Sequence, residues 1–149
     1  MLPSLTVAEN LRLGAAYRSD KTDLSRDYER VFEYFPVLKG KMSQRASLLS
    51  GREQQMLSLS RALLAAPRLL MVDEMSLGLA SQLTRQLLDV VADLPRSGTG
   101  VLCVEQNTKL VLKKADYAYV LETGRVSHKG TGSSLSSDES IVHSYLGQE

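Results

Sequence analysis

Two carboxylates stand side by side at the end of an apolar run, Leu69-Leu70-Met71-Val72-Asp73-Glu74. A buried strand that delivers acids at its C-terminal end is where open α/β sheets place ligand chemistry. One acid of such a pair can hold Mg2+, usually through water, while its neighbour orients or deprotonates an attacking water. Taken alone, the hexapeptide fits a solvated Asp-Glu pair equally well. A second stretch is Leu49-Ser50-Gly51-Arg52-Glu53-Gln54-Gln55, which opens a helix. A helix N-terminus offers unpaired N–H groups and a positive dipole end, and Ser-Gly lets an anion approach them closely. By itself that stretch is only a capped helix start. A third candidate, the single Cys103, lies in Val101-Leu102-Cys103-Val104 and reads as a buried strand residue rather than a nucleophile.

The elements that must position these groups follow from caps and periodicity. Thr6 and Glu9 form the reciprocal pattern that starts a helix, here Val7 to Tyr17. A second helix begins near Asp23 with Leu24, Tyr28, Val31, Phe32 and Phe35 on one face, and Pro36 stops it. Lys39 to Ser47 reads as a loop. Ser50 and Glu53 repeat the capping pattern before a third helix that runs to Ala65 and ends ahead of Pro67. The character then changes to alternating strand and helix. Leu69–Val72 and Val101–Val104 read as buried parallel strands, with a helix from Ser81 to Leu94 between them and one from Thr108 to Lys114 after. Glu122-Thr123-Gly124 joins Tyr117–Leu121 to Arg125–Lys129 as a hairpin. Gly130 to Ser137 reads as a loop, and Ser137 caps a last helix, Asp138 to Leu146. The fold class is α/β, with a helical portion over residues 1–66 and a strand-helix portion over 67–149.

Composition bounds the partners. At 149 residues the chain forms one domain's worth of core, with 43% hydrophobic and 23% charged residues. A net charge of +1 gives no reason to expect nucleic acid or an anionic membrane surface. No apolar run is long enough to span a bilayer. A lone cysteine forms no internal disulfide, in keeping with a reducing compartment.

In their order and spacing these pieces carry a resemblance that none has alone. Leu49 to Gln55, then Arg61-Ala62-Leu63, Pro67 and Leu69 to Glu74, resemble the signature motif, its helix and the Walker B strand of ABC transporter ATP-binding subunits. Ser76-Leu77-Gly78-Leu79-Ala80 resembles the D-loop of the amino acid importer branch. Val104-Glu105-Gln106-Asn107 resembles the switch region, where most members carry His after Glu. The Gln-Asn form, with Tyr119 to Arg125 downstream, is similar to the second ATPase subunit of branched-chain amino acid importers. Leu2 to Asn10 is similar to the segment that follows that family's Q-loop.

The resemblance implies a partial P-loop NTPase core with an N-terminal helical subdomain that docks on a membrane permease. It implies ATP and Mg2+ as ligands. Ser50, Gly51, Arg52 and Glu53 occupy signature positions, where Ser and Gly contact the γ-phosphate bound by a sister ATPase subunit. Asp73 would be the Mg2+-associated acid, Glu74 the general base and Gln106 the switch residue. The implied location is cytoplasmic, peripheral to the inner face of the membrane.

Three departures stand against the family pattern. The 149 residues contain no G-x-x-x-x-G-K-[ST], so they hold no phosphate cradle of their own, and autonomous hydrolysis is not expected. Arg52 stands where a second Gly is usual, and Met75 where Pro is usual. The expectation is a truncated or split ATPase subunit of an importer, completed by a separately encoded N-terminal half. The alternatives are a non-enzymatic interaction module that keeps the docking face, and a gene fragment whose motifs are idle.

Overall fold

The computed structural model describes residues 1–16, 18 and 24–141. It divides into two compact units, one of residues 1–71 and 95–102, the other of residues 72–94 and 103–149.

The first unit is mostly helical: α1 (Val7–Ala16), α2 (Leu24–Tyr34), α3 (Pro36–Lys39) and α4 (Gly51–Leu64). Both expected capping boxes are present. Thr6 N donates to Glu9 at 2.8 Å while Glu9 N donates to Thr6 Oγ1 at 3.2 Å. Ser50 N donates to Glu53 at 3.0 Å while Glu53 N donates to Ser50 Oγ at 3.4 Å. The α1, α2 and α3 helices each pack on α4, burying Val7, Leu11, Val31, Leu38, Leu57 and Leu64. Asn10 is fully buried on α1, where its amide group ties Leu2 N and O at 2.9 Å each, fixing the segment ahead of the helix. Pro36 does end α2, but it also starts α3, because a proline at the first helical position gives up an N–H that would be unpaired anyway. The stretch read as a loop from Lys39 is accordingly part helix at its start, and a 3-10 turn, Ala46–Leu48, closes it. The expected starts of the second helix at Asp23 and end of the first at Tyr17 lie outside the described residues.

Strands β1 (Leu69–Asp73) and β2 (Gly100–Val104) pair, and each passes from the first unit into the second. Gly100 N donates to Arg68 O at one end and Glu74 N to Val104 O at the other, so the two run parallel. Their expected burial is corrected to one face. Leu70 is 7% exposed, whereas Leu69, Met71, Leu102 and Val104 are 49–70% exposed. Alternation puts successive side chains on opposite faces, and no described element lies over the second face.

The second unit contains α5 (Ser81–Asp93), α6 (Thr108–Leu112), the antiparallel pair β3 (Tyr117–Glu122) and β4 (Arg125–Thr131), α7 (Gly132–Ser136) and α8 (Glu139–Ile141). As expected, α5 buries Leu83, Leu87, Val90 and Val91. The hairpin turns on Thr123 (φ 45°) and Gly124 (φ 77°), the left-handed pair that a two-residue hairpin loop requires. The Gly130–Ser137 loop is a correction: β4 runs on to Thr131, and α7 follows with Thr131 Oγ1 accepting from Ser134 N at 3.1 Å. Leu135 anchors it in a cluster with Leu112 and Ile141, against which Ala118 and Val120 of β3 pack. Ser137 closes α7 rather than opening the last helix, of which residues 142–146 lie outside the described residues.

Candidate functional site

The second unit gathers three of the expected chemical groups. Asp73 ends β1, exposed, with no side-chain hydrogen bond or ion pair among the described residues. Glu74 follows in the left-handed conformation, φ 47°, unusual for a residue with a Cβ. Its backbone N–H reaches Val104 O at 2.8 Å, which ties the end of β1 to the end of β2. Gln106, two residues past β2, donates from Nε2 to Glu74 Oε1 at 2.7 Å. The parallel pairing explains why acid and amide meet: both leave their strands at the same end of the sheet, although 32 residues separate them.

A shallow cleft opens beside this pair, bounded by Glu74, Ser76, Leu77 and Gly78 on one side and by Glu105 to Asn107 on the other. Gly78 turns there with φ 73°. Asn107 caps α6, its Oδ1 accepting from Leu110 N at 3.2 Å. Met75, at the position of the usual Pro, buries its side chain to 8% exposure and so anchors the turn by packing. Cys103 is half-buried, and burial, with a smaller push from Glu105, raises its thiol to about 11. A thiol raised in this way holds little thiolate at neutral pH, which slows it as a nucleophile.

The other expected positions lie in the first unit. Ser50 is the N-cap of α4, Gly51 has open space where a Cβ would stand, and Arg52 is exposed. As the first residues of a helix, Gly51 and Arg52 have amides with no carbonyl four residues back inside it. Glu53 is committed elsewhere: besides Ser50 N, its carboxylate meets Lys41 Nζ at 2.7 Å. The Lys41 bond, followed by those from Ser50, holds Glu53 below the ordinary glutamate value. Its contribution is therefore to fix the cap. Reading by sequence motif assigned no role to Glu105, whose carboxylate accepts from both Ser76 N, at 3.0 Å, and Ser76 Oγ.

The chain matches no protein-family model. It is 46% identical over 143 residues to BraG of Pseudomonas aeruginosa, a high-affinity branched-chain amino acid transport ATP-binding protein, covering 96% of this chain and 61% of BraG. It is 34% identical over 145 residues to LivF of Archaeoglobus fulgidus, a probable branched-chain amino acid transport ATP-binding protein, covering 97% of this chain and 61% of LivF. Among solved structures, an ATP-binding subunit of an ABC transporter superposes with TM-score 0.79 at 26% identity, over 98% of this chain and 61% of the other. The ADP conformation of the ATP-binding cassette MJ1267 superposes with TM-score 0.75 at 24% identity, over 99% and 65%. Over nearly all of its own length this chain is similar to ABC transporter ATP-binding proteins. It spans about 61% of the length of the curated relatives it matches. Like the solved ABC cassettes it has an α/β fold, and among the described residues no helix is long and apolar enough to cross a membrane.

Proposed function

We propose that this chain is part of the ATP-binding subunit of an ABC importer, contributing the hydrolytic end of the site to a reaction that drives branched-chain amino acid uptake. The Glu74–Gln106 contact at the end of the parallel strand pair carries the reading. Within it, Glu74 is the base that orients and deprotonates the attacking water, and Gln106 aims its carboxylate. Asp73 is the acid for Mg2+. One exposed carboxylate without a partner among the described residues suits that ion, which would keep several waters and take other ligands from the nucleotide. When bound, Mg2+ neutralises charge on the β- and γ-phosphates. Ser50, Gly51 and Arg52, at the start of α4, serve a nucleotide held by a sister ATPase subunit, and Glu53 holds their cap. The helical residues 1–66 are the docking face for the membrane permease, which places the chain at the cytoplasmic side of the membrane; residues 67–149 are the incomplete core.

The test is a calorimetric titration with MgATP. A helix N-terminus supplies about 0.3–1 kcal/mol, at most about 2. Micromolar affinity needs about 8 kcal/mol. Because the 149 residues hold no G-x-x-x-x-G-K-[ST], they alone should bind no MgATP below about millimolar concentration. Adding the phosphate-loop segment of a BraG-type relative should restore micromolar binding and hydrolysis. Tight binding by the chain alone overturns the account of the site; failure of the combined assembly favours an interaction module or an idle fragment.

A further inference from the structure

The hydrolytic reading leaves Glu105 without a task, yet its carboxylate makes two hydrogen bonds to a single residue across the turn. Ser76 donates to it from both backbone N and Oγ. Ser76 lies two residues after Glu74, whose backbone sits at φ 47°, in a region that residues with a Cβ avoid. A left-handed residue persists only where its surroundings over-determine it. Here the restraints come from three consecutive residues. Val104 O accepts from Glu74 N at 2.8 Å, Glu105 holds Ser76, and Gln106 Nε2 meets the Glu74 carboxylate at 2.7 Å. Leu77 N closes the turn on Glu74 O at 3.2 Å. A carboxylate that accepts a backbone and a hydroxyl proton from one residue fixes both its position and its rotation. The outer two of these three act on Glu74 directly, and Glu105 acts on the chain beyond it, alongside the turn bonds from Leu77 N to Glu74 O and from Leu79 N to Ser76 O.

We propose that Glu105 is a positioning residue: by clamping Ser76 it holds the turn that keeps Glu74 left-handed and its carboxylate on Gln106. The inference deepens the hydrolytic reading and rests on it. Glu105 touches neither water nor nucleotide in this role. Its loss lets residues 75–77 relax, Glu74 swings off Gln106, and the base is misaimed while nucleotide contacts stay.

The experiment compares wild type, Glu105→Ala, Glu105→Gln and Ser76→Ala in the full chain, with two readouts. In the chain alone, amide hydrogen exchange at Ser76 and the Cα and Cβ chemical shifts of Glu74 report the turn, with α4 amides as the check on folding. Glu105→Ala should speed exchange at Ser76 by roughly tenfold or more and move the Glu74 shifts away from left-handed values. Glu105→Gln keeps one acceptor oxygen and should fall between. In the assembly completed by a phosphate-loop segment, Glu105→Ala should lower kcat by about 10- to 100-fold, with the MgATP Kd within about twofold of wild type. Unchanged exchange and shifts in Glu105→Ala overturn the clamp whatever the assembly does. A relaxed turn with wild-type kcat overturns the positioning role. A wild-type assembly that binds MgATP but never hydrolyses it overturns the hydrolytic reading itself, and the exchange data separate that failure from failure of the clamp.

Discussion

Helix α1 crosses α4 so closely at Gly14 that a side chain there has nowhere to go. A Cβ on Gly14 would lie 2.4 Å from Arg61 O and 3.0 Å from Arg61 Cα. Ordinary carbon contacts begin near 3.4 Å, so Gly14→Ala forces α1 and α4 apart by about 1 Å at the crossing. Overpacking a well-packed interface costs about 1–3 kcal/mol. The obstacle is helix backbone, which cannot rotate aside, so the upper half of that range applies. Alanine in a helix interior returns about 1 kcal/mol relative to glycine. The net expectation is a loss of about 1–2 kcal/mol. With a urea slope of about 2 kcal/mol per molar, the midpoint should fall by about 0.5–1 M. Gly40→Ala is the control, since Gly40 has φ −76° and only Val37 O near, at 3.9 Å. It should match or slightly exceed wild type. Urea unfolding followed by circular dichroism reads both. A Gly14→Ala chain as stable as wild type would refute the close crossing, and with it the seat of the α4 helix whose start carries Ser50 and Gly51.

Two further outcomes follow from titrating groups. Glu53 is held below its ordinary 4.5, so its contribution to stability is complete above that value and is lost as pH falls through the lower folded value. Glu53→Gln should flatten the acid limb of the stability profile below about pH 5, measured by urea midpoints across pH, and leave the neutral limb's slope unchanged. Cys103, raised from 9.0 to about 11, carries about 100-fold less thiolate at neutral pH than an ordinary thiol. Higher intrinsic nucleophilicity recovers about tenfold of this, so alkylation by iodoacetamide should run roughly tenfold slower than in a model peptide and match it after denaturation.

What could be read from sequence was what acts over short range. The Thr6–Glu9 and Ser50–Glu53 caps need only a spacing of three, and the Thr123-Gly124 turn only residues that tolerate positive φ. The helix α7 was missed because its Gly and Ser residues favour loops. It forms because Leu135 finds Leu112 and Ile141, and because Gly132, where a Cβ would meet Leu112 O and Ala115 O at 2.3 Å, lets that contact close. Apolar runs revealed β1 and β2, but a strand's composition does not say what covers each face, hence exposed Met71 and Leu102. Motifs single out Asp73, Glu74 and Gln106 as candidates, and the parallel strand pairing is what brings Glu74 and Gln106 into contact. The Glu105–Ser76 clamp spans 29 residues and depends on the strand register, which no local spacing records.

The central claim is that Glu74, aimed by Gln106, is the base of an ATP-hydrolysing site. It is tested most directly by single-turnover hydrolysis of MgATP in the completed assembly, comparing wild type with Glu74→Gln. The substitution keeps the shape and the contact with Gln106 while removing the proton acceptor. The account predicts MgATP binding within about twofold of wild type and hydrolysis slower by about 100-fold or more. Hydrolysis by Glu74→Gln at the wild-type rate would contradict it.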